Sequence, residues 1–255
     1  MSPVFHHSIR HAAVLALGLS LAACQQETPP PAEQSASSST VTTLPVADEP
    51  VVAQTPAEAE AAAAGIEQLA PLPGLENDVP VLTEKTTINF ATTAGDLVIE
   101  VYPQAAPNAV QRFVELVRTG FYDDTPVSRV VPGFVAQFGI NWRDQYASWE
   151  TNHFDDDPSM FALERGTLAF AKAGIDTNST QVFINYVENN RLASPQYNFT
   201  VFGKVVSGMD IVDMFAEVGE PGMGLDQGQL WNNGGEYLES LDEKPTMITR
   251  ATVVE

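Results

Sequence analysis

The chain has almost no cysteine. Cys24 is the sole thiol in 255 residues, so an internal disulfide and a thiolate metal cluster are both excluded. Histidine is scarce too. Of four, His6, His7 and His11 crowd the N-terminus, leaving His153 for any folded domain. A histidine-rich metal site and a cysteine nucleophile therefore drop out, and neither metal nor other cofactor is expected. Ser128 and Ser159 sit in no G-x-S-x-G setting, so a hydrolase built on His153 has no nucleophile elbow. Positive charge is thin: 12 Lys and Arg stand against 33 Asp and Glu, a net charge of −21. Such a surface repels phosphate, which argues against a nucleic-acid partner.

No apolar run reaches the roughly 20 residues a membrane-spanning helix needs. The nearest is 12–23, behind a weakly basic start that ends at Arg10, and this pattern suits a secretory signal. It closes on Leu21-Ala22-Ala23-Cys24, which resembles the bacterial lipobox; the other reading is an ordinary signal peptide with an incidental cysteine. The resemblance implies a signal peptide over 1–23 and lipid modification of Cys24. The exported protein would then be anchored to the membranes of the bacterial cell envelope. Gln25, where an aspartate would signal retention, points to the periplasmic face of the outer membrane.

Residues 24–85 read as a disordered linker. Pro29-Pro30-Pro31, the Ser/Thr-rich stretch 35–43 and repeated Pro, Ala and Glu give low hydrophobicity with negative charge. The alanine-rich stretch 58–69 is marginal as an isolated helix. A flexible tether of this length has an r.m.s. reach on the order of 40–50 Å.

A folded domain is expected over 86–255. Short β-like runs occupy 87–90 and 97–102 around the turn Ala94-Gly95-Asp96. Pro107 starts a helix that runs to Arg118, with Val110, Phe113, Val114 and Val117 on one face and Gly120 beyond its end. That stripe is core packing, suited to plugging a barrel. Residues 141–158 form a polar segment in which Asp155-Asp156-Asp157 reads as a solvated loop, since EF-hand spacing is missing. Further strands are expected at 167–171, 181–186, 200–205 and 247–254. A short helix is expected at 209–215 and another at 229–241, weakened by Gly234-Gly235. Many short strands with few helices indicate an all-β barrel.

The stretch 127–140, V-S-R-V-V-P-G-F-V-A-Q-F-G-I, carries the chemistry. Its valines favour strand, while Pro132-Gly133 forces two short strands around a bend. The bend brings Arg129, Phe134, Val135 and Gln137 to one hollow. R-V-V-P-G-F-V-A-Q is followed in order and spacing by G-T-L-A-F-A-K-A-G, by T-Q-V-F-I-N and by V-F-G-K-V-V-S-G-M. Together these motifs resemble the cyclophilin family of peptidyl-prolyl isomerases over about 86–254. The resemblance implies an eight-stranded antiparallel β-barrel capped by two α-helices, and proline-containing polypeptides as substrates. A monomer is expected.

Rotating a peptide bond sacrifices amide resonance, at a barrier of about 18–20 kcal/mol. At X-Pro the two isomers are close in energy but exchange slowly. Catalysis needs no nucleophile and no proton transfer, only an apolar seat for the ring and a donor that favours the twisted amide. Arginine suits that role, being always charged with donors in a rigid fork. The resemblance implies that Arg129 is this donor and that Phe134, Val135, Phe183 and Leu192 line the proline pocket. It also implies that Gln137 holds the substrate backbone, helped by Gln181, by main-chain groups of Ala171, Lys172 and Ala173, and by Phe199 at the rim. Val135 replaces the usual methionine. Lys172 stands where asparagine is common and is expected to offer mainly its backbone. Arg191 replaces a tryptophan of many eukaryotic members, Phe199 a histidine, and Phe138 a glycine. The alternative is a binding module that keeps the groove for peptide docking without turnover; Arg129 favours the enzyme, because docking alone does not require it.

Overall fold

The computed structural model describes residues 69–254. The signal peptide, Cys24 and the linker as far as residue 68 lie outside the described residues. Eight strands build the fold: β1 (Thr86–Thr92), β2 (Gly95–Val101), β3 (Thr125–Val131), β4 (Val135–Phe138), β5 (Thr167–Phe170), β6 (Val182–Asn185), β7 (Val201–Ser207) and β8 (Met247–Val253). Every pairing is antiparallel, in the spatial order β1-β2-β7-β5-β6-β4-β3-β8, and β8 returns to β1 to close the barrel. The chain is thus an all-β closed barrel.

Alternation along each strand fills the interior. Ile88, Phe90, Leu97, Ile99, Leu168, Phe170, Val182, Ile184 and Phe202 belong to one buried cluster. Helix α1 (Pro107–Arg118) adds its apolar face to that cluster. Proline in its first turn lacks only an N–H that would go unpaired there. Phe113 stacks among Phe90, Tyr122 and Phe202, with ring centroids 6.0, 5.5 and 5.1 Å away. Leu116 completes the buried face and Val114 sits at its margin. Two further helical segments follow. Helix α2 is a single turn (Met209–Val212), shorter than expected because Asp213 and Met214 form a turn. Helix α3 (Gln227–Ser240) bends at Asn233, where φ is −142° and ψ 31°. The glycines that weakened it in the sequence have a use: a Cβ on Gly234 would run into the indole of Trp142.

Two expectations need correction. Asp156 and Asp157 are buried, not solvated. Asp157 accepts from the Asn108 and Ala109 amides at 3.2 and 2.9 Å, satisfying the open N-terminus of α1, which has no side-chain cap of its own. Burial nevertheless pushes the Asp157 carboxyl up. Among the described residues packing also reaches back to Leu69, well before residue 86. Leu69 and Leu82 are buried beside Phe161, Leu163 and Ala193, and Leu72 and Val79 pack against the same cluster. Backbone bonds from Leu72 to Met160 (2.9 Å) and from Ala162 to Ala70 (2.8 Å) fix the segment. Its apolar residues follow neither a helical nor a strand period, which is why composition reads it as linker.

Leu82→Ala tests this docking. Truncating a buried leucine costs about 2–5 kcal/mol, so its urea midpoint is expected to fall with little change in m. An unchanged midpoint would show the segment to be a passenger.

Candidate active site

Strand parity decides which side chains leave the barrel. Ala136 and Phe138 point inward from β4, so Val135 and Gln137 point outward; on β6, Val182 and Ile184 point inward and Phe183 outward. Phe138, the residue standing for a family glycine, packs edge-on against Phe90 and Tyr122 in the core. It therefore leaves the outer face undisturbed.

On β3 simple alternation fails. Val127 and Val130, three residues apart, both belong to the core. The register resolves this, because Val127 pairs with Phe138 while Arg129 pairs with the next residue, Gln137. Ser128 is the extra residue of a β-bulge, and it turns Arg129 outward beside Gln137. The bend beyond is a tight turn. Phe134 N–H donates to Val131 O at 3.0 Å across Pro132-Gly133, and Gly133 takes φ +72°, the conformation a type II turn demands of that position.

The outward side chains enclose a hollow of about 220 Å³. Arg129, Phe134, Val135 and Gln137 form one wall, and Phe183 with Ala171 forms the floor. Leu192, from the 3-10 turn Asn190–Ala193, faces them together with Phe199 and Lys172. Phe199 meets Phe183 edge-on at 5.6 Å. Gln181 stands beside the hollow and accepts from Gln137 Nε2 at 2.8 Å. Ala173 lies outside it: its amide donates to Thr177 Oγ1 at 3.1 Å and is not presented to a ligand. Arg191 is exposed on the 3-10 turn.

The Arg129 guanidinium is half-buried and set over the Phe134 ring, 5.6 Å from its centroid. Its Nε donates to Gly222 O at 2.8 Å. Neither Nη group has a hydrogen-bond partner among the described residues, so the fork keeps its outer donors for a ligand. Burial draws its pKa down from the ordinary arginine value.

The side chain of Lys172 is committed within the protein. Its side chain, 2 % exposed, turns inward to an ion pair with Asp156, itself 6 % exposed. It also donates to Asn198 O at 3.0 Å and lies 5.5 Å from the Phe199 ring centre. Asp156 accepts in addition from Asn178 Nδ2 at 2.7 Å. The lysine is therefore a buried strut beneath the rim. No local signal announces this, because its partner is 16 residues away in the chain.

Residues 87–227, more than half of the chain, match the family model described as cyclophilin type peptidyl-prolyl cis-trans isomerase/CLD. The chain belongs to the cyclophilin family. Peptidyl-prolyl cis-trans isomerase A of Dickeya dadantii is 32% identical over 177 residues, covering 68% of this chain and 86% of its own. Peptidyl-prolyl cis-trans isomerase B of Escherichia coli is 33% identical over 148 residues, covering 55% and 90%. The crystal structure of a Cryptosporidium parvum cyclophilin shares the fold at a TM-score of 0.51 and 19% identity, covering 68% of this chain and 99% of that one. A second structure of that protein, determined in the presence of the dipeptide Ala-Pro, gives 0.50 at 20% identity, covering 66% and 99%.

In this cyclophilin, Lys172→Met should be costly. Removing one partner of a buried pair leaves an uncompensated charge, at about 3–5 kcal/mol. Chemical denaturation should show that loss, and Lys172→Met with Asp156→Leu should recover part of it. A single variant of wild-type stability would mean the pair contributes nothing.

Proposed function

We propose that this cyclophilin accelerates the cis–trans rotation of X-Pro bonds in exported polypeptides, with Arg129 stabilising the twisted amide. The observation that carries this reading is the guanidinium itself, fixed through Nε at the edge of an apolar hollow with its Nη donors unspent among the described residues. Phe134, Val135, Phe183 and Leu192 seat the pyrrolidine ring. Gln137 holds the neighbouring backbone so that only the X-Pro bond turns. As the amide leaves planarity, the prolyl nitrogen regains its lone pair, and a cation aimed at that atom lowers the barrier more than it favours the planar ground state. Burial strengthens the interaction by excluding water.

Arg129→Ala should lose about 2–4 kcal/mol of transition-state stabilisation, the range for one electrostatic donor, read as kcat/KM in a proline-isomerisation assay while the fold survives. Wild-type turnover in a folded variant would remove Arg129 from the mechanism. The rate should be flat between about pH 5 and 9. Burial lowers the Arg129 pKa, so its charge is lost only on the alkaline side, and any decline must come as pH rises beyond that window. His153, exposed and not among the residues that line the hollow, does not enter; His153→Gln should leave the profile unchanged.

The reading extends to the N-terminus: residues 1–23 are a lipoprotein signal, Cys24 carries the lipid, and residues beyond it tether the barrel to the periplasmic face of the outer membrane. L-A-A-C at the end of a short apolar run supports it. Two or more acyl chains anchor stably where one does not. Intact mass should show lipid on the mature protein and none on Cys24→Ser; an unlipidated wild-type protein removes the anchor.

A further inference from the structure

We infer that residues 219–240, the loop after Val218 together with α3, form a brace that positions the Arg129 guanidinium. This inference rests on the isomerase reading of Arg129. The family model ends at residue 227, where α3 begins, so all of the helix after its first residue lies beyond the matched stretch.

The bulge at Ser128 is where the loop meets the active strand. Leu225 N–H donates to the Ser128 carbonyl at 2.8 Å, the group that the bulge leaves without a ladder partner. Gly224, at φ +79°, lies so close to β3 that an added Cβ would stand 2.7 Å from Arg129 Cα and nearer still to Ser128 O. Two residues earlier, the Gly222 carbonyl accepts from Arg129 Nε at 2.8 Å. A guanidinium pinned through Nε, with Phe134 beneath its plane, can present its Nη pair in only one direction. The loop therefore holds both the backbone that turns Arg129 outward and the atom that aims it.

Helix α3 holds the loop in turn. Leu225 and Leu230 are buried with Val218 and Ile140, and Tyr237 Oη receives the Asp226 N–H at 3.0 Å. Asp226 caps the helix by accepting from Gln229 N at 2.9 Å. Gln227 reaches back to the groove, where its Oε1 accepts from Gln181 Nε2 at 3.4 Å, and Gln181 holds Gln137. Arg129 and Gln137 are thus both tied to one segment.

The experiment is a double-mutant cycle in the full chain, followed by isomerisation kinetics and thermal unfolding. Gly224→Ala should lower kcat roughly 10- to 100-fold through misplacement of the donor, with a much smaller change in KM. In an Arg129→Ala background the same substitution should cost almost nothing further, although its effect on the melting temperature should be equal in both backgrounds. Equal fold-losses in the two backgrounds would show that the loop acts on general stability, and overturn the inference. Leu230→Ala, remote from the hollow, repeats the test should Gly224→Ala not fold. The Arg129 Nε–H resonance gives an independent readout: slow exchange in the wild type and fast exchange in either brace variant are expected. Fast exchange in the wild type overturns the brace. If Arg129→Ala retains full turnover, the isomerase reading of Arg129 fails, and the resonance still decides whether the brace exists.

Discussion

In a closed antiparallel barrel each strand has two faces, and consecutive side chains alternate between them. One residue inserted into one strand changes the side for everything after it. In β3 that residue is Ser128. Were Ser128 paired in plain alternation and not bulged, Arg129 would share the inward parity of Val127, and a cation would be driven among Phe90, Tyr122 and Phe138, where an unpaired charge costs several kcal/mol. With the bulge, Val127 and Val130 both stay inside while Arg129 stands beside Gln137. The pocket, the packing of the barrel and the contact with the 219–226 loop all depend on this local irregularity.

Around that irregularity the hollow is supported unevenly. Its floor belongs to the barrel wall, through Phe183 and Ala171. Its far side rests on irregular segments: the 3-10 turn carrying Leu192, and Phe199 beside the Lys172–Asp156 pair. Residues 69–82 back the same cluster from outside. Irregular backbone is ordinarily the mobile part of a fold. Here it is tied by a buried ion pair and by docked leucines, a rigidity that the proposed role of Arg129 calls for, since a donor must keep its aim while the substrate turns.

Much of this was legible in the sequence, and for local reasons. Pro107 followed by a 3.6-residue apolar period marks α1, and Pro132-Gly133 marks the turn between β3 and β4. The stretch 127–140 marks Arg129, Phe134 and Gln137 as neighbours of one hollow, where the structure has them. What was not legible depends on partners distant in the chain. The bulge is invisible because Val-Ser-Arg-Val reads equally well as plain alternation. Asp156 and Asp157 look solvated until Lys172 and the α1 amides arrive from elsewhere. Gly234 looks like a weakness until Trp142 is laid against it. Leu69 and Leu82 lack any period because they enter gaps between elements and present no regular face.

The return of β8 to β1 has a bearing on how the molecule comes into being. Thr249 Oγ1 donates to Ala91 O across 158 residues of sequence, so the ladder that seals the barrel joins partners almost at opposite ends of the folded chain. Topologies dominated by such distant pairings fold slowly. A chain emerging N-terminus first has β1 and β2 available long before β8. Until the last strand arrives, β1 and β3 present unpaired edges of the sort that recruit foreign strands. A member of an isomerase family is itself built so that its own assembly waits for its final strand.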